Sequence, residues 1–153
     1  MTALELRVPP ALVTAVFAGL MWLTATLVPS LTRDVPGRVS IAVAFFAAGA
    51  ALALAGVLAF HRASTTVNPV RPEAASSLVT SGVYRVTRNP MYLGFLSALV
   101  GWGVWLAHPL PYLAVLLFVA YMGRFQIGPE ERALRAAFGE AFEAYSRSTR
   151  RWL

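Results

Sequence analysis

Residues 79–95 read VTSGVYRVTRNPMYLGF, which places two tyrosines, two arginines, an asparagine and a proline beside an apolar run. Tyr84 and Tyr92 offer aromatic faces to a cation or a flat ring. Asn89 followed by Pro90 reads as a helix cap and first turn, where free backbone N–H groups and the positive dipole end suit an anion. Arg85 and Arg88 add positive charge. Further along, Arg124, Gln126, Glu130 and Glu131 follow another apolar run, and Glu130 offers a carboxylate to hydroxyls or an amine. Together these groups suit a zwitterionic, aromatic-bearing ligand approached from the cytosol. They hold no thiolate, since the chain has no cysteine, and so no disulfide either. A metal centre is not expected, because the two histidines, His61 and His108, fall in loops on opposite faces of the predicted bundle.

The elements that position these groups are unusually apolar. The chain has 153 residues, of which 58% are hydrophobic and 13% charged. Four runs, Ala11–Leu31, Val39–Phe60, Pro90–Ala107 and Pro109–Met122, contain no Asp, Glu, Lys or Arg. Crossing the hydrocarbon core takes roughly 20 residues. The fourth run reaches that length if it continues through Arg124 to Ile127, with the arginine snorkelling to the interface. Backbone polar groups in lipid must be satisfied internally, so the runs are expected to be helices. The expected fold is an all-α integral membrane protein, a single membrane domain over 1–153. Its four transmembrane helices fall at about 11–31, 39–60, 90–107 and 109–127, with a cytoplasmic loop at 61–89 and an amphipathic cytoplasmic helix at 129–147. Glu5 beside Arg7, and the length of the run that follows, argue for a retained first helix, not a cleaved signal.

All 13 basic residues are arginine. Four crossings put 11 of them on the face of the termini and the 61–89 loop, leaving Arg33 and Arg38 opposite. That asymmetry predicts cytoplasmic N- and C-termini in the inner membrane, and lipid headgroups as the partner of the excess charge; nucleic acid is not expected. Gly49, Ala53 and Gly56 in the second run, and Gly94, Ser97, Ala98 and Gly101 in the third, form small-residue strips where helices can approach closely. The 61–89 connection is long, and spaced Val67, Val70, Leu78, Val79 and Val83 with Pro69 and Pro72 argue for order. The tail from Gly128 carries Leu134, Phe138, Ala141, Phe142 and Tyr145 on one face. Glu131–Arg135 and Glu143–Arg147 fall in the favourable acid-before-base order.

The run LVTSGVYRVTRNPMYLG, followed one helix pair later by PEERALRAAFGEAFEAYSRSTRRWL, resembles the isoprenylcysteine carboxyl methyltransferases, integral-membrane enzymes related to the phospholipid N-methyltransferases. The resemblance covers about residues 60–153. It implies S-adenosylmethionine held between the cytoplasmic helix ends and the C-terminal helix, with a lipophilic thiol, carboxylate or amine as methyl acceptor. By motif, Ser76, Ser77, Leu78 and Val79 resemble cofactor-contacting backbone, and Tyr84 resembles a cofactor-binding tyrosine. Arg88 joins that cofactor set, and Asn89, Pro90, Met91 and Tyr92 occupy the His-Pro-x-Tyr positions. Glu130 resembles a cofactor-binding carboxylate, and Arg124 or Gln126 falls where the family places a substrate-facing arginine. Two residues depart from the pattern. Asn89 replaces a histidine and cannot carry charge, and Gln126 stands for the arginine unless Arg124 reaches the same place.

Two other functions suit the same residues. An NADPH-dependent membrane reductase would share the C-terminal membrane architecture, although sterol reductases are longer. A small transporter or assembly subunit would need no cofactor, but ion-coupled carriers generally place an ionisable group within the membrane, and none lies near a predicted helix centre.

Overall fold

A computed structural model describes residues 5–63 and 77–153. Among them the fold is all helical: α1 (Pro10–Leu27), α2 (Arg38–Arg62), α3 (Pro90–Leu106), α4 (Pro111–Met122), α5 (Gly128–Phe138) and α6 (Glu140–Ser148). Single turns at Pro29–Leu31 and Gly82–Arg85 lead out of α1 and into α3. Proline opens α1, α3 and α4, at positions where its missing N–H costs no helical bond. Three helical runs are long and apolar enough to cross a membrane: Pro10–Leu27, Arg38–Arg62 and Pro111–Phe138; Pro90–Leu106 is apolar but shorter. Their outward residues, among them Leu12, Leu20, Val43, Leu54, Leu116 and Leu117, are exposed. Such a continuous apolar exterior belongs in lipid.

Helix α3 is the centre of the bundle, with α2 on one side and the α1–α4 pair on the other. The two small-residue strips meet at the α2–α3 contact. A β-carbon added at Gly94 would stand 2.6 Å from the Gly49 carbonyl oxygen, and one at Gly49 equally close to the Gly94 oxygen. Ser97 donates to the Phe45 carbonyl beside them, at 2.8 Å. Gly94→Ala should therefore force the helices apart and cost about 1–3 kcal/mol, the usual range for overpacking. Gly19→Ala, where a β-carbon meets nothing within 4 Å, is the control. Thermal unfolding in detergent should lower the midpoint for the first and leave the second unchanged.

The Arg33 N–H bonds to the Ala107 carbonyl at 2.8 Å, and the His108 ring bonds to the Val28 carbonyl at 2.8 Å. These contacts gather the α1–α2 and α3–α4 turns at one end of the bundle. At the other end the helix pattern differs from the sequence expectation in two places. Pro129 does not start a new helix: α4 passes into α5 through a widened π turn at Gly123–Ile127. A proline inside a helix deprives the carbonyl four residues earlier of its donor. Here that carbonyl, Phe125, accepts the Leu6 N–H at 3.1 Å instead. The second difference is that the helix expected over 129–147 breaks at Gly139, whose φ of +50° suits a residue without a side chain. The charge pairs shift with the break: Arg135 pairs with Glu143 across it, and Glu131 looks elsewhere.

Candidate functional site

The chemistry-bearing residues collect at the end that carries Glu5, the π turn and the C-terminal tail, in three groups. The first is aromatic and acidic. Tyr92, buried on α3, hydrogen-bonds to the carboxylate of Glu130 on α5. Nearby, the hydroxyl of Tyr84 reaches the surface of α2 at Gly56, where an added β-carbon would lie 3.6 Å from it, 3.0 Å from Met91 Cγ and 3.2 Å from Pro90 Cγ. Tyr84, Pro90 and Met91 thus converge on a glycine that leaves room for them. Burial pushes the Tyr84 ionisation well above that of an ordinary phenol, and the neighbouring Tyr145 and Glu130 push it further the same way. Tyr84 therefore stays a neutral hydrogen-bonding phenol at any physiological pH. Leu78 and Val79 pack with it in a cluster completed by Phe142 and Tyr145 of α6, and Ser77 donates to the Ala63 carbonyl at 3.3 Å. Ser76 lies outside the described residues.

The second group is a clamp between the stretch before α3 and the tail. Arg88 donates to the Ser146 and Thr149 carbonyls, both at 2.7 Å, and to Glu131 at 2.8 Å. Arg151 takes the other Glu131 oxygen at 2.6 Å. The backbone N–H of Arg88 bonds to the Arg150 carbonyl at 3.0 Å, and Thr87 and Arg150 form a parallel bridge. Asn89 does not cap α3 through its side chain: it donates to the Arg151 carbonyl at 2.8 Å, and the Thr87 hydroxyl accepts its backbone N–H. Tyr145 adds a 2.7 Å bond to the Tyr84 carbonyl, and burial, opposed by Arg88, raises its own ionisation to about 12. The side chains of Arg88 and Asn89 are thus turned to the tail and not to the Tyr92–Glu130 pair. Thr87 and Arg151 are the members that sequence reasoning left out. Glu131 was visible as half of an acidic pair, but its two arginine partners lie 43 and 20 residues away.

The third group is N-terminal. Glu5 is buried, and Arg124 and Arg132 reach it at 2.9 and 2.8 Å from half-exposed positions. Gln126 is fully buried and donates to the Val8 carbonyl at 2.7 Å. Arg124 and Gln126, both candidates for acceptor recognition, therefore meet the N-terminal segment. No group of three or more metal-binding side chains occurs among the described residues.

The acidic pair divides its work in a telling way. Glu131 is compensated by two guanidinium groups, whereas Glu130, one residue earlier, pairs with no cation among the described residues and is held by a phenol alone. Such a carboxylate, in reach of two buried tyrosines, fits a ligand that brings its own positive charge.

A sequence profile described as phospholipid methyltransferase matches residues 38–141, from the start of α2 into α6. The chain belongs to the phospholipid methyltransferase family. Several relatives of this methyltransferase family are protein-S-isoprenylcysteine O-methyltransferases by name. One from Oryza sativa subsp. indica, named as probable, is 38% identical over 59% of this chain and 47% of its own length. Another, from Arabidopsis thaliana, form B, is 33% identical over 64% of this chain and 50% of its own length. A Haemophilus influenzae protein of uncharacterised function is 40% identical over 41% of this chain and all of its own length. The family member described here thus aligns with about half the length of its plant relatives. No solved structure matches it.

Proposed function

We propose that this family member transfers a methyl group from S-adenosylmethionine to a lipophilic acceptor at the cytoplasmic face of the membrane. In this reading α1 to α4 cross the bilayer, the termini are cytoplasmic, and α5 and α6 lie against the inner ends of the spans. The grouping of both short turns at one end, and the arginine asymmetry, support that arrangement.

One observation carries the proposal: a carboxylate, Glu130, with no cation partner among the described residues, set beside its compensated neighbour Glu131. S-adenosylmethionine, when bound, supplies a methyl group on a positively charged sulfur. Glu130 would hold the ammonium group of that molecule, which S-adenosylhomocysteine shares, with Tyr92 fixing the carboxylate and Tyr84 offering a ring face and a hydroxyl. Ser77 to Val79 would contribute backbone along the same side, and Pro90 and Met91 would form the wall at Gly56. Arg88 and Asn89 would act from behind, by fastening the tail that closes the site. What remains for the protein is alignment of two reactants, worth on the order of 7–11 kcal/mol in favourable cases.

The same contrast speaks against NADPH. Phosphates need free cations, and Arg88 and Arg151 are both committed to Glu131. Calorimetry of detergent-purified protein should give saturable binding of S-adenosylhomocysteine and no binding of NADPH. The opposite pattern would make the protein a reductase. Binding of neither would return it to the transporter or assembly class.

A further inference from the structure

Besides Glu130, the side-chain amide of Gln126 stands out at this end, and it bears on the acceptor. Gln126 is 0% exposed, and its amide nitrogen donates to the Val8 carbonyl at 2.7 Å. That contact fixes the orientation of the amide, because a carbonyl can only accept. Its Oε1 is then left buried with no hydrogen-bond partner. An unpaired buried acceptor is costly, and a bound water or a ligand group can supply the donor it lacks.

The position suits a ligand-reading role. Gln126 lies in the π turn, a feature that often marks functional positions in helices. It stands four residues before Glu130 and four after Met122. Met122 and the adjoining Ile127 share the core cluster of Tyr92, and Tyr92 bonds to Glu130. The amide therefore sits about one helical turn from the carboxylate assigned to the cofactor. The cations nearest in sequence, Arg124 and Arg132, are both turned to Glu5.

The geometry points to Gln126 as the residue that selects the methyl acceptor, favouring a head group that donates a hydrogen bond over one that carries a carboxylate. The inference rests on the proposed methyl transfer. A carboxylate would bring a second acceptor against Oε1, where Arg124 and Arg132 are already paired with Glu5. An amine, hydroxyl or thiol brings the missing donor.

The test is labelled methyl transfer to dodecylamine, dodecanethiol and dodecanoate, which differ only at the head. Wild-type protein should methylate the amine or the thiol and not the carboxylate. Gln126→Leu should raise the KM for the accepted probe by roughly tenfold, the size of one hydrogen bond to a buried group. S-adenosylhomocysteine affinity should stay unchanged in that variant. Gln126→Arg should gain transfer to dodecanoate. Preference of the wild type for dodecanoate, or an unchanged acceptor KM in Gln126→Leu, overturns the inference while the function stands. Failure of the wild type to bind S-adenosylhomocysteine removes both together.

Discussion

Glu130→Gln should weaken S-adenosylhomocysteine binding by about 10- to 100-fold while leaving the unfolding temperature nearly unchanged. Glutamine keeps an oxygen for the Tyr92 hydroxyl, so the contact between α3 and α5 survives. The charge is lost, and a hydrogen bond to a charged group is worth roughly 1.5–3 kcal/mol, at about 1.4 kcal/mol per decade of affinity. Glu130→Ala is the harsher change, because it also leaves Tyr92 buried without its partner, so binding and stability should fall together. Calorimetry read beside thermal unfolding separates the two effects. Unaltered affinity in Glu130→Gln would remove Glu130 from the cofactor site.

Arg88→Ala should do the reverse and act first on the fold. The Arg88 and Glu131 side chains are only 13% and 12% exposed, and Arg88 also satisfies two carbonyls of the tail. Removing one partner of a buried ion pair costs about 3–5 kcal/mol, since the other charge is left uncompensated. Arg151 still reaches Glu131, so the loss should lie toward the lower end of that range. At roughly 2–4 °C per kcal/mol for a chain of this size, the unfolding midpoint should drop by about ten degrees. Arg88→Lys keeps the charge but loses the fork that spans Ser146, Thr149 and Glu131, so its midpoint should fall between the two. An alanine variant as stable as the wild type would show that the tail is held without Arg88, by the Thr87–Arg150 pairing and the Asn89, Tyr145 and Arg151 contacts.

The apolar helices were legible in the sequence because their signal is local. Length, absence of charge and proline at the first turn are properties of one segment, and the glycine strips announce a close contact before the partner is known. Gly94 and Gly49 show this well, since each strip meets the other across the α2–α3 contact. Tyr92 and Glu130, which the structure pairs, were also among the candidates. What the sequence could not reveal was the division of labour among polar side chains. Arg88 and Glu130 look equally available in a list of residues, yet one is tied to Glu131 and two tail carbonyls and the other to a phenol. That difference depends on partners up to 61 residues away. Helix continuity through Pro129 was hidden for the same reason: the donor that replaces its missing N–H comes from Leu6.

The bond from Leu6 to Phe125, with the Glu5 bridges to Arg124 and Arg132, has a consequence for biosynthesis. A ribosome delivers Glu5 early, yet its partners emerge more than a hundred residues later, and the Arg150–Arg151 clasp later still. The helices can form one by one, but the end that holds the candidate site assembles only when early and late segments find each other. A chain interrupted after α4 would therefore keep its apolar helices and lack Glu130, Glu131 and the tail that fastens them.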